Sequence, residues 1–272
     1  MSCYSVLSVG KQLLRSRPLH QQKPCLNEDR ASIFSSAYPV KEYLLFVDTE
    51  TTGLPQRWNK PYSAERNWPY IAQLAWGVYT PDGELVKAEN HYLRVPAGRM
   101  QASAVAIHGL TPEFLQEQGQ DPRAVLEMLR QDLLTYQPLV VGHYLQLDFH
   151  VIGAGFYRAG LENPLAALPT LCTMQLTHIS PPQQGRRYLR LGELHEQLFH
   201  TPMVLQHDAW ADAQATAHCY FEMQRQHLLT EELLQQQRPL QVPPPVSPQK
   251  RWPLLAALFT AAILVALYLI YG

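Results

Sequence analysis

Along the chain, hydrophobic and polar positions change period several times. Residues 43–48 form a short apolar run, and 70–79 and 84–95 read as strands, the last two joined by "TPDGE", whose Asp-Gly step suits a tight hairpin. The period then lengthens to that of a helix over "DPRAVLEMLRQDLLTY" (121–136), with Asp121 as N-cap and Pro122 at the first helical position. A short apolar strand, "PLVVG", follows at 138–142, and helices are predicted over 147–160, 190–199 and 208–235. Three strands in a meander followed by α-β-α predict an α/β fold, a mixed sheet flanked by helices. No internal repeat at solenoid periods interrupts this order.

The two ends follow other patterns. Residues 1–40 carry Lys11, Arg15, Arg17 and Lys23 before the first acid, Glu28, and are expected to form a poorly ordered basic arm; an organelle presequence is the competing reading. The α/β unit is expected over 41–236. Residues 237–250 are proline-dense and should run as a semi-rigid extended spacer. Beyond it, 251–272 carry no charge after Arg251, and Pro253 to Tyr271 would cover about 28 Å as a helix, close to the hydrocarbon thickness of a bilayer. Trp252, Tyr268 and Tyr271 stand where interfacial aromatics belong, and Lys250 with Arg251 marks the near side as cytoplasmic. The expectation is a single-pass tail anchor holding the folded unit on the cytoplasmic face, with the bilayer contacted through residues 253–271. A buried core helix is the alternative, against which the lack of a polar stripe counts.

Composition adds two exclusions. A formal net charge of -1 gives the whole chain no pull toward a polyanion, so a basic footprint must be local. The four cysteines (Cys3, Cys25, Cys172, Cys219) include no CxxC pair, which excludes a disulfide framework and a zinc knuckle.

Candidate chemistry comes from acids in apolar places. In "LLFVDTETTG" (44–53), alternation puts Asp48 and Glu50 on the face of Leu44 and Phe46, where two carboxylates extend a surface that should pack a core. Asp148 follows the short strand, at the start of the apolar spacing Phe149, Ile152, Phe156. Asp212 borders the packed face of Ala209, Ala213, Thr216 and Tyr220. Unpaired, each would be costly there; a cluster of hard divalent cations removes the conflict. Singly these signals are weak, because edge-strand acids are commonly solvated and an acid before a helix is commonly an N-cap. Their order is more specific: D-x-E on a first strand, an acid after a later strand, then H-x-A-x-x-D opening a late helix.

With these motifs the chain resembles the proofreading-type 3′–5′ exonucleases that carry four acidic residues and a histidine (DEDDh), the family of the epsilon subunit and ribonuclease T. "FVDTETTGLP", "GHYLQLDF" and "HDAWADAQAT" match its three motifs and "IHGLT" (107–111) a further stretch, over about residues 43–227. The tyrosine subclass is excluded, since Asp208 lies four residues before Asp212 and His207 five before it. The second motif departs from the family at Tyr144 and Leu147. The resemblance implies a ribonuclease H-like fold and two-metal phosphodiester hydrolysis, with two Mg²⁺ or Mn²⁺ on Asp48, Glu50, Asp148 and Asp212. It makes His207 the general base, a task imidazole suits near neutral pH. The implied substrate is the 3′ end of single-stranded DNA, cut to nucleoside 5′-monophosphates. The alternatives are a 3′–5′ exoribonuclease acting on short RNA and a non-catalytic nucleic-acid-binding module.

Substrate contacts implied by the resemblance are Thr51, Thr52, Leu54 and His108, with an ordinary turn as the other reading of 51–54. The loop 55–70 interleaves Arg57, Lys60 and Arg66 with Trp58, Tyr62, Trp68 and Tyr70 and either stacks a single strand or covers the sheet edge. Residues 183–191 supply Arg186, Arg187 and Arg190, a second basic candidate or a solvated loop. His143 and His150 are expected to be structural.

Overall fold

The computed structural model describes residues 41–64, 66–177, 186–235, 237 and 239–244. The expected basic arm (1–40) and membrane span (251–272) lie outside the described residues, as does the end of the expected spacer. Among the described residues, no helix is long and apolar enough to cross a membrane.

Five strands form one mixed sheet in the order β3-β2-β1-β4-β5. They are β1 (Leu44–Thr51), β2 (Ile71–Tyr79), β3 (Leu85–Tyr92), β4 (Leu139–Gly142) and β5 (Thr170–Cys172). The meander β1-β2-β3 is antiparallel, while β4 runs parallel to β1 and β5 parallel to β4. The seven α-helices among the described residues are α1 (Ala102–His108), α2 (Pro112–Gln118), α3 (Pro122–Tyr136), α4 (Gln146–Ala159), α5 (Leu191–Phe199), α6 (Ala209–Arg225) and α7 (Glu231–Gln235).

The period-2 pattern of β1 divides the core. Leu45 and Val47 pack with Leu126, Leu129, Phe149 and Ile152 of α3 and α4, whereas Leu44 and Phe46 pack with Leu194 and Leu198 of α5 and Ala217 and Tyr220 of α6. Asp48 and Glu50 therefore continue the α6 side and Thr49 the α4 side. Asp132 of α3 is also buried, but Trp76 Nε1–H (2.8 Å) and Lys87 Nζ (2.8 and 2.9 Å) donate to it.

Several expectations differ in extent. The first strand runs to Thr51 and so contains both acids. The helix expected over 208–235 stops at Arg225: His227 adopts a left-handed φ of 55°, and Leu228 N–H bonds back to Met223 O at 2.9 Å. That is the 6→1 bond of a Schellman ending, made here without glycine. Helices α1 and α2 and strand β5 were not expected; at seven, seven and three residues they are too short to establish a period.

The unit expected to end at residue 236 continues into the proline-dense segment. The Gln237 side chain accepts Cys172 N–H (2.8 Å) and donates to Cys172 O (3.3 Å), completing the outer edge of β5. Leu240 packs against the core, and Pro243 is buried. Two bonds to a strand edge predict that Gln237→Ala lowers unfolding free energy by about 1–2 kcal/mol in a urea titration. An unchanged midpoint would mean that the segment only rests on the surface.

Candidate active site

The site lies at the C-terminal ends of the adjacent parallel strands β1 and β4. The last paired residues of β1 and β4 are Phe46 and Val141, and beyond them β1 carries Asp48 and Glu50 while the turn after β4 delivers α4. Asp148, in the first turn of α4, is 3% exposed and accepts a 2.7 Å hydrogen bond from Thr49 Oγ1. From the opposite face α6 brings Asp212, whose Oδ2 accepts His207 N–H at 3.2 Å.

The start of α6 is clamped by Gln73 of β2, which lies opposite Glu50 in the antiparallel register. Its Oε1 accepts Ala209 N–H (3.2 Å), and its Nε2 donates to Asp208 Oδ2 (2.9 Å) and Asn90 Oδ1 (3.0 Å). Asp208 in turn caps α6 by accepting Ala211 N–H at 3.0 Å. Just before the cap, Leu205 and His207 are both left-handed, with φ of 60° and 66°, a conformation that costs a non-glycine residue about 1 kcal/mol. The bend brings the His207 ring to the acids: ligand atoms of Glu50, His207 and Asp212 lie within 4.8 Å of one another. Histidine can serve there as a proton acceptor or as a ligand.

Electrostatics mark all four acids. Burial, followed by repulsion from Asp148, Asp212, Glu50 and Asp208, holds Asp48 well above the usual carboxylate range. Burial first, then Asp212, Asp148 and Asp208, pushes Glu50 up to about 8. Asp148 is raised to about 7, with burial outweighing its bonds from Thr49 and the backbone; Asp212 is raised to about 6, burial outweighing the bond from His207. No cation of the described chain is among the groups acting on them. Four hard oxygen donors that repel one another and lack a counter-charge fit divalent cations.

The residues expected to contact substrate lie at the same end of the sheet, with part of their bonding already used. Thr51 Oγ1 donates to Gly53 O (2.7 Å), and Thr52 Oγ1 accepts Tyr70 N–H (2.9 Å), so both hydroxyls shape the turn. That turn presents Leu54, 66% exposed. His108 Nε2–H donates to the Thr51 carbonyl (3.1 Å) and Nδ1 accepts Leu110 N–H (3.0 Å), leaving the ring face; burial lowers its pKa, and His207 adds to this. His143 meets Thr173 Oγ1 and the Leu189 carbonyl and is pushed down to about 4 by burial. A cavity of about 460 Å³ adjoins the acids, bounded by Tyr144, Arg187, Tyr188, Met203, His207 and Asp212. Arg186 at its rim is paired with Glu193 at 2.8 and 3.0 Å.

In the sequence Gln73 gives no sign of this role, being a lone polar residue in an apolar strand, and Asp208 stands out only by its spacing from Asp212.

The exonuclease (RNase T) family model matches residues 45–220, more than half of the chain and every residue of the acidic cluster. The chain belongs to this exonuclease family. Among solved structures it is similar to E. coli exonuclease I in complex with a dA16 oligonucleotide, at 20% identity and TM-score 0.55, over 71% of this chain and 42% of that one. The dT13 complex of the same enzyme matches at 20% identity and TM-score 0.56 (69% and 43%), and the zinc-bound single-stranded DNA complex at 19% and 0.56 (70% and 42%). These likenesses establish a shared fold, and this exonuclease-family chain spans less than half the length of the structures it matches. No curated protein sequence matches it.

The raised carboxyls carry a definite pH dependence. Each binds its proton more tightly in the folded chain than in the unfolded one, so the stability it supplies is complete below about pH 4. That stability is lost as pH climbs through about 6, 7 and 8, where Asp212, Asp148 and Glu50 titrate. In EDTA, melting temperature should therefore fall between pH 5 and pH 8, and Glu50→Gln should raise it at pH 8 by on the order of 5 °C while changing little at pH 5. Mg²⁺ should reverse the order of the two proteins at pH 8. A wild type that gains stability over that window in EDTA would contradict the assignment.

Proposed function

We propose that this protein is a 3′–5′ exonuclease that releases nucleoside 5′-monophosphates from the 3′ end of single-stranded DNA. The observation that carries the reading is the convergence of Asp48, Glu50, Asp148 and Asp212 without a balancing cation among the described residues, in a chain of the exonuclease family. Asp48, Glu50, Asp148 and Asp212 would hold two Mg²⁺ or Mn²⁺ ions, which supply Lewis acidity toward the phosphoryl oxygens and the attacking water. The single-stranded DNA named for the E. coli exonuclease I complexes supports that substrate class for this chain.

The chain's own residues supply position and proton transfer. β1 fixes the separation of Asp48 and Glu50, and Thr49 locks Asp148 against it. His207 takes the proton of the attacking water, its ring held beside Glu50 and Asp212 by the left-handed bend and the Gln73 clamp. Leu54 presents an exposed apolar wedge against the terminal base.

Nuclease activity should vanish in EDTA and return with Mg²⁺ or Mn²⁺, and Asp48→Asn or Asp212→Asn should abolish it in a protein that still folds. Full activity in either variant would sink the reading. His207→Ala should slow turnover by about 10²–10⁴-fold. An RNA oligomer of matched sequence, degraded faster than the DNA, would move the activity to exoribonuclease.

We further propose that residues 253–271 tether the catalytic unit to a membrane, with the unit facing the cytoplasm; the uncharged run and Lys250 with Arg251 support this. Because Leu240 and Pro243 pack on the domain, the informative truncation ends after Pro244. The full chain should resist alkaline carbonate extraction, while the truncated form is soluble and cleaves at a similar rate. Ready extraction of the full chain would remove the tether.

A further inference from the structure

The loop 55–70 is aromatic and basic, and the fold separates those two properties. Three of its four aromatic side chains pack together: Trp68 is buried and stacks on His150 (5.1 Å, 27°), with Trp58 and Tyr62 set edge-on against it, while Tyr70 lines the surface groove described below. Gly153 of α4 admits Tyr62, since a Cβ there would lie 2.5 Å from the tyrosine oxygen. Trp68 is therefore committed to the core, and the half-buried Trp58 and Tyr62 are held against it.

The cations point elsewhere. A groove of about 610 Å³ shares Thr52 and Leu54 with the candidate active site, and Arg66 and Arg99 line it. No Asp or Glu is among its described lining residues, and neither arginine has a carboxylate partner among the described residues. Beside the groove, the exposed Arg158 guanidinium lies over the Tyr70 ring at 4.0 Å and bonds to the Trp68 and Pro69 carbonyls, adding a third positive charge. The frame is fixed. Asn67 bonds both ways to Arg57 (3.0 and 2.9 Å), and the Thr52 backbone joins Tyr70 and Gln101.

We propose that this groove is a phosphate track for the single strand upstream of the bond being cut, holding the backbone without regard to base sequence. The proposal rests on the exonuclease reading, which puts the terminal nucleotide beside Leu54. A strand passing that residue meets two arginines without a carboxylate partner among the described residues, and the Tyr70 ring beside them already carries the Arg158 guanidinium on its face, an arrangement that favours phosphate over base.

The test is binding of a labelled 12-mer of single-stranded DNA to the full chain in EDTA, where nothing is hydrolysed, followed by anisotropy across a salt series. Arg66→Ala with Arg99→Ala should weaken binding at least about fivefold and flatten the slope of log K against log salt by about 1.4, roughly 0.7 for each phosphate no longer neutralised. The Lys/Lys variant should keep most of the slope, which separates lost charge from lost folding. A 12-mer whose upstream linkages are neutral methylphosphonates should bind the wild type as weakly as the normal 12-mer binds the Ala/Ala variant, and that variant should not distinguish the two strands. Unchanged binding by the Ala/Ala variant, or an equal penalty from methylphosphonates in both proteins, would overturn the track. Release of mononucleotides, measured in parallel with Mg²⁺, judges the exonuclease reading separately: an inert protein that passes the binding cycle loses the hydrolysis and keeps the track.

Discussion

Mutual repulsion among buried carboxylates is the constraint around which this domain is arranged. Asp48, Glu50, Asp148 and Asp212 come from a central strand and from helices on both of its faces, and each is held above the ordinary carboxylate range chiefly by burial. Elements that would otherwise part are held by neutral hydrogen bonds: Thr49 to Asp148, and Gln73 to Asp208 and Ala209. Neutral donors fix position without cancelling the charge that a cation is needed to cancel.

Asp132 shows what the same fold does with an acid it keeps for structure. That carboxylate is as deeply buried as Glu50, yet it receives the Trp76 indole N–H and the Lys87 ammonium. Within one domain, then, a buried acid is either neutralised by a neighbouring cation or left without one among the described residues. The second pattern, repeated at one end of two parallel strands, is what distinguishes a site from a packing detail.

Much of this was legible in the sequence because it depends on period and order. Alternation along 44–51 assigned Asp48 and Glu50 to one face, and the motif order brought the remaining acids and His207 to them. What escaped notice depends on tertiary detail. Gln73 looks like one polar residue in an apolar strand until the register sets it opposite Glu50 and beneath α6. His227 gives no local cue that a helix ends, since neither glycine nor proline stands there. In the 55–70 loop composition was visible but direction was not, and direction buries Trp68 and leaves Arg57 and Arg66 at the surface.

The Gln237 amide has a consequence for how the sheet terminates. A bare edge strand offers unpaired backbone groups to any extended chain that comes near, which invites unwanted association. At Cys172 both of those groups are taken by one side chain, from a segment too rich in proline to act as a strand itself. The seal thus ends the hydrogen-bond ladder without creating a new outer edge that would need covering in its turn.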